Sequence, residues 1–269
     1  MTSHLIETFD DGVATLTMNR PEARNALTGE MLAALSAAVP RLADDPKVRV
    51  VVLTGTGGAF CAGGDVKGFA ADPGRGSGSS SGPNLEQRVA GLRRGMEVVK
   101  VLHEMPKPTI AVMPGPAAGA GLSLALACDL RICVSTAKLT TAFSKIAVSG
   151  DYGGSYFLSK LVGSARAREL YFTADVLTGD QALAMGIVTK VAPPEEFAAA
   201  AEAYVRYLAS LPTLAVGYMK RNLNISEHGT LSELLDLEAM HMARTMMTED
   251  HKAASIAFVE KRPPVFNGH

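Results

Sequence analysis

The sequence predicts an α/β fold, and three observations carry that prediction. Near-continuous apolar runs of strand length stand at residues 48–53, 109–113 and 130–134. Stretches with helical spacing separate them, and strands alternating with helices build parallel sheets buried on both faces. The chain has 269 residues and is 47% hydrophobic, enough for one large domain or two small ones and too apolar for disorder.

HLIETFDDGVATLTMNRP, at residues 4–21, reads as a β-hairpin, with Asp10-Asp11-Gly12 as its turn. Thr28 suits a helix N-cap, and Met31, Leu32, Leu35 and Val39 fall on one helical face, ending near Pro46. A buried strand follows at 48–53. Two more, at 109–113 and 130–134, flank a helix at about 121–127. Beyond about Pro194 the pattern is helical throughout. Leu231, Leu234, Leu235, Leu237 and Met240 form an amphipathic stretch, and with Met242, Met246 and Met247 they exceed what a lone helix can hide. Such a surplus either packs in a core or forms a subunit interface. The chain divides on this reading into a core, residues 1–193, and a helical region, residues 194–269.

Composition excludes several classes. A formal net charge of −1 gives no general attraction to nucleic acid, and the basic residues form only short pairs such as Arg93-Arg94 and Lys220-Arg221. The apolar stretches are too short or too interrupted for membrane spans, and the start MTSHLIETFDD has neither a basic region nor an apolar signal core. Cys61, Cys128 and Cys133 make no disulfide framework, which fits a reducing cytoplasm, and Cys61 reads as a small buried filler. The six histidines lack metal-ligand spacing, so no metal is expected. GTGGAF after the first strand is not a dinucleotide-binding GxGxxG, and GLSLA is not a GxSxG nucleophile elbow.

Two glycine-rich turns dominate the functional reading: FCAGGDVK at residues 60–67 and PGPAAGAGLSLALACDL at 114–130. Small residues where a strand hands over to a helix let a ligand approach the backbone. The unpaired N–H groups there carry partial positive charge. Two of them converging on one point would stabilise an oxyanion. Between the turns, residues 72–83 (DPGRGSGSSSGP) read as a linker-like segment, either a flexible surface loop or a mobile lid over the entrance to a site.

These turns, with NRPEARNALT (19–28), SGDYGGSYFLSKLVG (149–163), AREL…LTGDQALAMGIVTKV (167–191) and the tail TEDHKAASIAFVEKRPPVF (248–266), resemble the crotonase superfamily of enoyl-CoA hydratases and isomerases over nearly the whole chain. The resemblance implies a ββα spiral core with a C-terminal all-helical oligomerisation region, assembled as trimers or dimers of trimers. It implies an acyl-CoA substrate, with coenzyme A as part of that substrate and no separate cofactor. The N–H groups of Gly64 and Ala120 become the oxyanion donors. Ala62, Gly64, Asp65, Val66 and Lys67 match the segment along the CoA moiety, and Arg24 matches a position near its phosphates. Asp65 would serve equally as a helix cap and Lys67 as a solvated side chain.

The family's hydratases use two glutamates, and at the matching positions this chain has Ser123 and Phe143. Phe143 moves no protons. Ser123 is a poor base without a partner and reads as a small residue packed in a helix, or as part of the substrate wall with Phe143. Asp151, in SGDYGG, matches the position where isomerases of this family carry a catalytic aspartate, and it is also well placed to cap the next helix. The expectation is therefore conversion of 3-enoyl-CoA to 2-enoyl-CoA with Asp151 as base. Hydration of 2-enoyl-CoA, or CoA binding without turnover, are the alternatives.

Overall fold

A tight hairpin opens the chain because Asp11 and Gly12 both adopt positive φ (43° and 78°), the twist that two-residue hairpin turns require. It joins β1 (Leu5–Asp10) to β2 (Val13–Met18) in antiparallel register, from Leu5 opposite Met18 to Asp10 opposite Val13. The computed structural model describes residues 3–65 and 84–268. Helix α1 (Gly29–Asp44) follows, with the Thr28 hydroxyl accepting from the Met31 N–H at 3.1 Å, and it buries Met31, Leu35, Ala38, Val39 and Leu42. The apolar run after Pro46 forms β3 (Val50–Gly55); its first residues are instead in a turn, with the Val48 N–H on the Asp45 carbonyl.

Beyond residue 84, α2 (Leu85–Gly95) and α3 (Glu97–Glu104) lead to β4 (Thr109–Met113). The short β5 (Ala117–Ala118) and α4 (Ala120–Ala127) precede β6 (Leu130–Val134) and β7 (Lys138–Thr140). Then come α5 (Gly154–Thr173), β8 (Leu177–Thr178), α6 (Gly179–Ala184) and β9 (Lys190–Ala192). The main sheet runs β1-β2-β3-β4-β6-β9, parallel throughout except for the first pair. A second sheet, β5-β7-β8, lies beside the start of α4. All eight residues of α4 are buried, as expected of a helix apolar on every side.

The C-terminal helices divide into two kinds. α7 (Phe197–Ala209) packs on β2, β3, β6 and β9 and buries Phe197, Ala201, Val205 and Leu208. In contrast, α8 (Thr213–Ser226), α9 (Leu231–Met246) and α10 (Glu249–Val259) expose most of their large apolar side chains, with Met242 61% and Phe258 85% accessible. The core therefore does not absorb the apolar surplus of α9 within one chain. Lys220 fastens α8 to the core, bonding Asp129 at 2.9 Å and the Leu102 carbonyl at 2.8 Å near the end of α3. Arg49 holds the tail through the carbonyls of Leu211 (2.8 Å) and Phe266 (2.7 Å).

Candidate active site

The two glycine turns meet face to face. Cys61 bridges to β5: its N–H donates to the Pro116 carbonyl (3.2 Å) and its carbonyl accepts from Ala118 (2.9 Å). On the other side, Leu27 donates to the Gly63 carbonyl (2.8 Å) and Ala62 to the Arg24 carbonyl (2.9 Å). Contact between the turns is so close that a Cβ on Gly121 would lie 2.4 Å from the Cys61 carbonyl oxygen. One on Gly63 would lie 2.7 Å from the Ala118 oxygen and 3.3 Å from the Ala120 nitrogen. Gly63 also has φ +84°, so both space and backbone require glycine.

This packing leaves two donors over. In the parallel bridge between Leu27 and Gly64, Leu27 supplies the bonding groups, and the N–H of Gly64 points away from the ladder. Ala120 opens α4, where first-turn N–H groups have no intrahelical partner. Among the described residues, neither N–H donates to a protein acceptor. Gly119, just before, has φ 53° and ψ −128°, and its N–H is held by the Thr140 carbonyl at 3.1 Å.

Asparagine 25 was not singled out by sequence, yet it ties these loops together. Fully buried, Asn25 accepts from the Arg20 N–H (2.8 Å) and donates to the carbonyls of Thr56 (2.9 Å) and Ala59 (3.0 Å). Its own carbonyl lies 3.1 Å from the Cys61 sulfur. Burial pushes the Cys61 thiol up to about 12, which makes it packing rather than a nucleophile. Arg24 is exposed beside the first turn, in the left-handed region at φ 49°. Asp65 faces Arg20 at 3.4 Å, a partner that sequence alone did not suggest. Val66, Lys67 and the 72–83 segment lie outside the described residues.

Asp151 sits in a turn of unusual backbone. Gly150, Tyr152 and Gly153 all have positive φ (99°, 52° and 72°), and for tyrosine that conformation is strained. Gly153 is the N-cap of α5, and no side chain caps it, so Asp151 does not play the capping part open to it in the sequence. Its Oδ1 is buried with no hydrogen-bond partner. Desolvation alone raises its pKa from the ordinary aspartate value. Two tyrosines beside it, Tyr152 and Tyr171, are pushed up to about 12, first by burial and then by the Asp151 charge.

Phe143 and Tyr171 join this turn to the second glycine turn. Their rings stack at 5.8 Å with 23° between planes. A Cβ on Gly119 would lie 3.6 Å from Phe143 Cε1, and one on Gly150 would lie 3.3 Å from Phe143 Cδ2 and 3.1 Å from Tyr171 Cε1. The aromatic pair thus spans the interval between the residue before Ala120 and the residue before Asp151. Ser123, one turn into α4, is 2% exposed, and its hydroxyl donates to the Gly119 carbonyl at 3.3 Å. It shares a niche with the Tyr171 hydroxyl that only glycine at 154 leaves open. No sequence signal marked Tyr171. Among the described residues no cluster of three or more metal-ligating side chains occurs, and no helix is long and apolar enough to cross a membrane.

Known proteins share this architecture across the whole chain. A family model described as enoyl-CoA hydratase/isomerase matches residues 8–269. Similar proteins include the 1,2-epoxyphenylacetyl-CoA isomerase of Escherichia coli, 35% identical and covering 100% of both chains. Another is the crotonyl-CoA hydratase of Syntrophomonas wolfei, 33% identical over 96% of this chain and 95% of that one. Among solved structures, an enoyl-CoA hydratase from Polaromonas superposes with a TM-score of 0.88 at 31% identity, covering 98% of this chain and 99% of the other. With its two facing glycine turns and crotonase fold, the chain is an enzyme of the enoyl-CoA hydratase/isomerase family.

Proposed function

We propose that the protein isomerises a 3-enoyl-CoA to the conjugated 2-enoyl-CoA, with Asp151 as the single proton carrier. The carboxylate takes the α-proton, and the C–H electron pair moves into an enolate whose oxygen accepts from the Gly64 and Ala120 N–H groups. The enolate then collapses, the double bond shifts to the α,β position, and the same Asp151, its proton exchangeable with solvent, delivers a proton to the γ-carbon. Arg24 and the Ala62–Asp65 backbone hold the CoA portion. The observation that carries this reading is the buried, unpartnered Asp151 Oδ1. Its desolvation suits a base working near neutral pH. Ser123 and Phe143 stand where hydration would want two carboxylates, and neither activates a water there.

The test incubates wild type and Asp151→Asn with a 3-enoyl-CoA and a 2-enoyl-CoA in heavy water, followed by mass spectrometry. Bond migration with deuterium uptake in wild type, abolished in the variant while CoA binding persists, is the expected result. A gain of one water mass on the 2-enoyl substrate would make the enzyme a hydratase, and full activity in the variant would remove Asp151 from the mechanism.

The stacked Phe143–Tyr171 pair favours a second reading of the acyl group, as a flat ring. This accords with the E. coli relative, whose substrate carries an epoxidised phenyl ring. A phenyl-bearing 3-enoyl-CoA would then outcompete a linear one, and Tyr171→Ala would narrow the difference. The exposed faces of α8, α9 and α10 further support assembly into trimers or dimers of trimers, to be read by light scattering; a monomer at micromolar concentration would overturn it. Three buried, unbridged cysteines are consistent with a cytoplasmic setting.

A further inference from the structure

We propose that Ser123 is a positioning residue that clamps and polarises the peptide supplying the second oxyanion donor. The carbonyl of Gly119 and the N–H of Ala120 belong to one planar peptide unit, so whatever holds the oxygen also aims the hydrogen. Two groups hold that oxygen, and both come from Ser123. Its N–H donates at 3.0 Å and its hydroxyl at 3.3 Å. Serine in a helix often bonds back to the carbonyl four residues earlier. Here the carbonyl that receives it is the one whose peptide faces the site.

The clamp has a purpose that the local backbone explains. Gly119, at φ 53° and ψ −128°, occupies a region that glycine enters freely, so the peptide after it can rotate at little steric cost. Rotation would carry the Ala120 N–H away from the substrate carbonyl. A second bond to the Gly119 oxygen opposes that rotation. It also draws electron density toward the oxygen, which makes the N–H on the same peptide a stronger donor. The surroundings protect the arrangement: Ser123 is 2% exposed, and a Cβ at position 154 would sit 2.3 Å from its Oγ. Glycine at 154 therefore keeps the hydroxyl in place rather than merely starting α5.

This inference rests on reading Ala120 as an oxyanion donor, and the experiment separates the two. The thioester carbonyl of a carbon-13-labelled 2-enoyl-CoA is followed by difference infrared spectroscopy, free in water and bound to wild type and to Ser123→Ala. Alanine removes only the hydroxyl and favours the helix. The expected result is a lowered carbonyl frequency on wild type, part of which is lost in the variant. With it, kcat falls about 3- to 10-fold, the loss of one hydrogen bond, while KM and the pH profile stay unchanged. A variant with the full frequency shift and kcat within about twofold of wild type would overturn the clamp and leave the donor reading standing, even if its melting temperature dropped. No shift on wild type would overturn the donor reading and the clamp with it.

Discussion

Gly63 is the residue on which the convergence of the two turns depends, and Gly63→Ala tests it most directly. The new methyl would meet the Ala118 carbonyl oxygen at 2.7 Å and the Ala120 nitrogen at 3.3 Å. Both are backbone atoms fixed by bonds to Cys61 and by the start of α4, so neither can swing aside as a side chain would. The backbone at φ +84° adds about 1–2 kcal/mol for any residue with a Cβ. With the overlap included, the cost to stability is about 2–3 kcal/mol, a fall of roughly 5–10 °C in melting temperature for a chain of this size. The cost to catalysis is larger. Spreading the turns misaligns one donor, and one such donor is worth about 10²- to 10³-fold in kcat. The assay follows the ultraviolet absorbance of the conjugated thioester, with differential scanning fluorimetry alongside. Gly58→Ala is the control. Gly58 has a similar φ of +69°, but nothing lies within 4 Å of its Cβ position. It should lose stability to backbone strain alone and keep its kcat. If Gly63→Ala retains kcat within about threefold of wild type, or Gly58→Ala loses as much as Gly63→Ala, the close approach is not what builds the site.

Four further outcomes follow from the buried titrating groups. As the proposed base, Asp151 would have to be ionised, and burial raises its pKa, so kcat/KM should rise with pH through a limb above the ordinary aspartate range, and wild type lacking that limb would exclude Asp151 as the base. The same shift sets a stability difference. A carboxyl raised in the folded state favours folding below its unfolded pKa, and that contribution is lost as pH rises through the folded value, so Asp151→Asn should melt higher than wild type near neutral pH and converge with it in acid. His241 has the opposite sign: burial, with Arg221 and Arg244 nearby, depresses its pKa, so stability holds above the ordinary histidine value and falls as pH drops through the depressed one, and His241→Phe should flatten that acid loss in a thermal scan. All three thiols, raised to about 12 by burial, should resist iodoacetamide in the native protein and react in denaturant; rapid native alkylation of Cys61 would contradict its place between the turns.

Much of the fold was legible because strong local signals coincided with long elements. Asp11-Gly12 can hardly be anything but a hairpin turn, and the runs at 109–113 and 130–134 became β4 and β6 without adjustment. The second sheet was not legible, since two-residue strands such as Ala117–Ala118 and Leu177–Thr178 are too short to show any period. Tyr171 escaped for a different reason. Gly154–Thr173 is helical on both sides of Gly163, which breaks the phase with φ 76° and ψ 161°. Past that kink no helical wheel drawn from Gly154 says which side chains face the Asp151 turn. Asn25 was hidden in the same way: a polar residue in an Ala-Leu stretch looks like surface until the fold buries it completely.

The turn at Asp151 is where two local costs fall on the same four residues, and that coincidence supports the proposed role of the carboxylate over a purely structural one. An aspartate placed before a helix usually stabilises it by capping an N–H, and two residues' difference in position would have allowed that here. Instead the helix starts on an uncapped glycine, Tyr152 is held in a left-handed conformation, and the carboxylate oxygen is buried unpaired. An unsatisfied buried polar atom costs on the order of 1–3 kcal/mol, and a strained left-handed residue a similar amount. Nothing in the packing of α5 against α4 requires either, since glycines at 153 and 154 already permit the close contact with Phe157 and Ser123. Relieving the first cost would take one substitution at position 151 to a neutral turn residue, and the fold would be steadier for it. What such a substitution removes is a desolvated carboxylate set across the Phe143–Tyr171 wall from the start of α4, the group to which the proposed isomerisation assigns the proton.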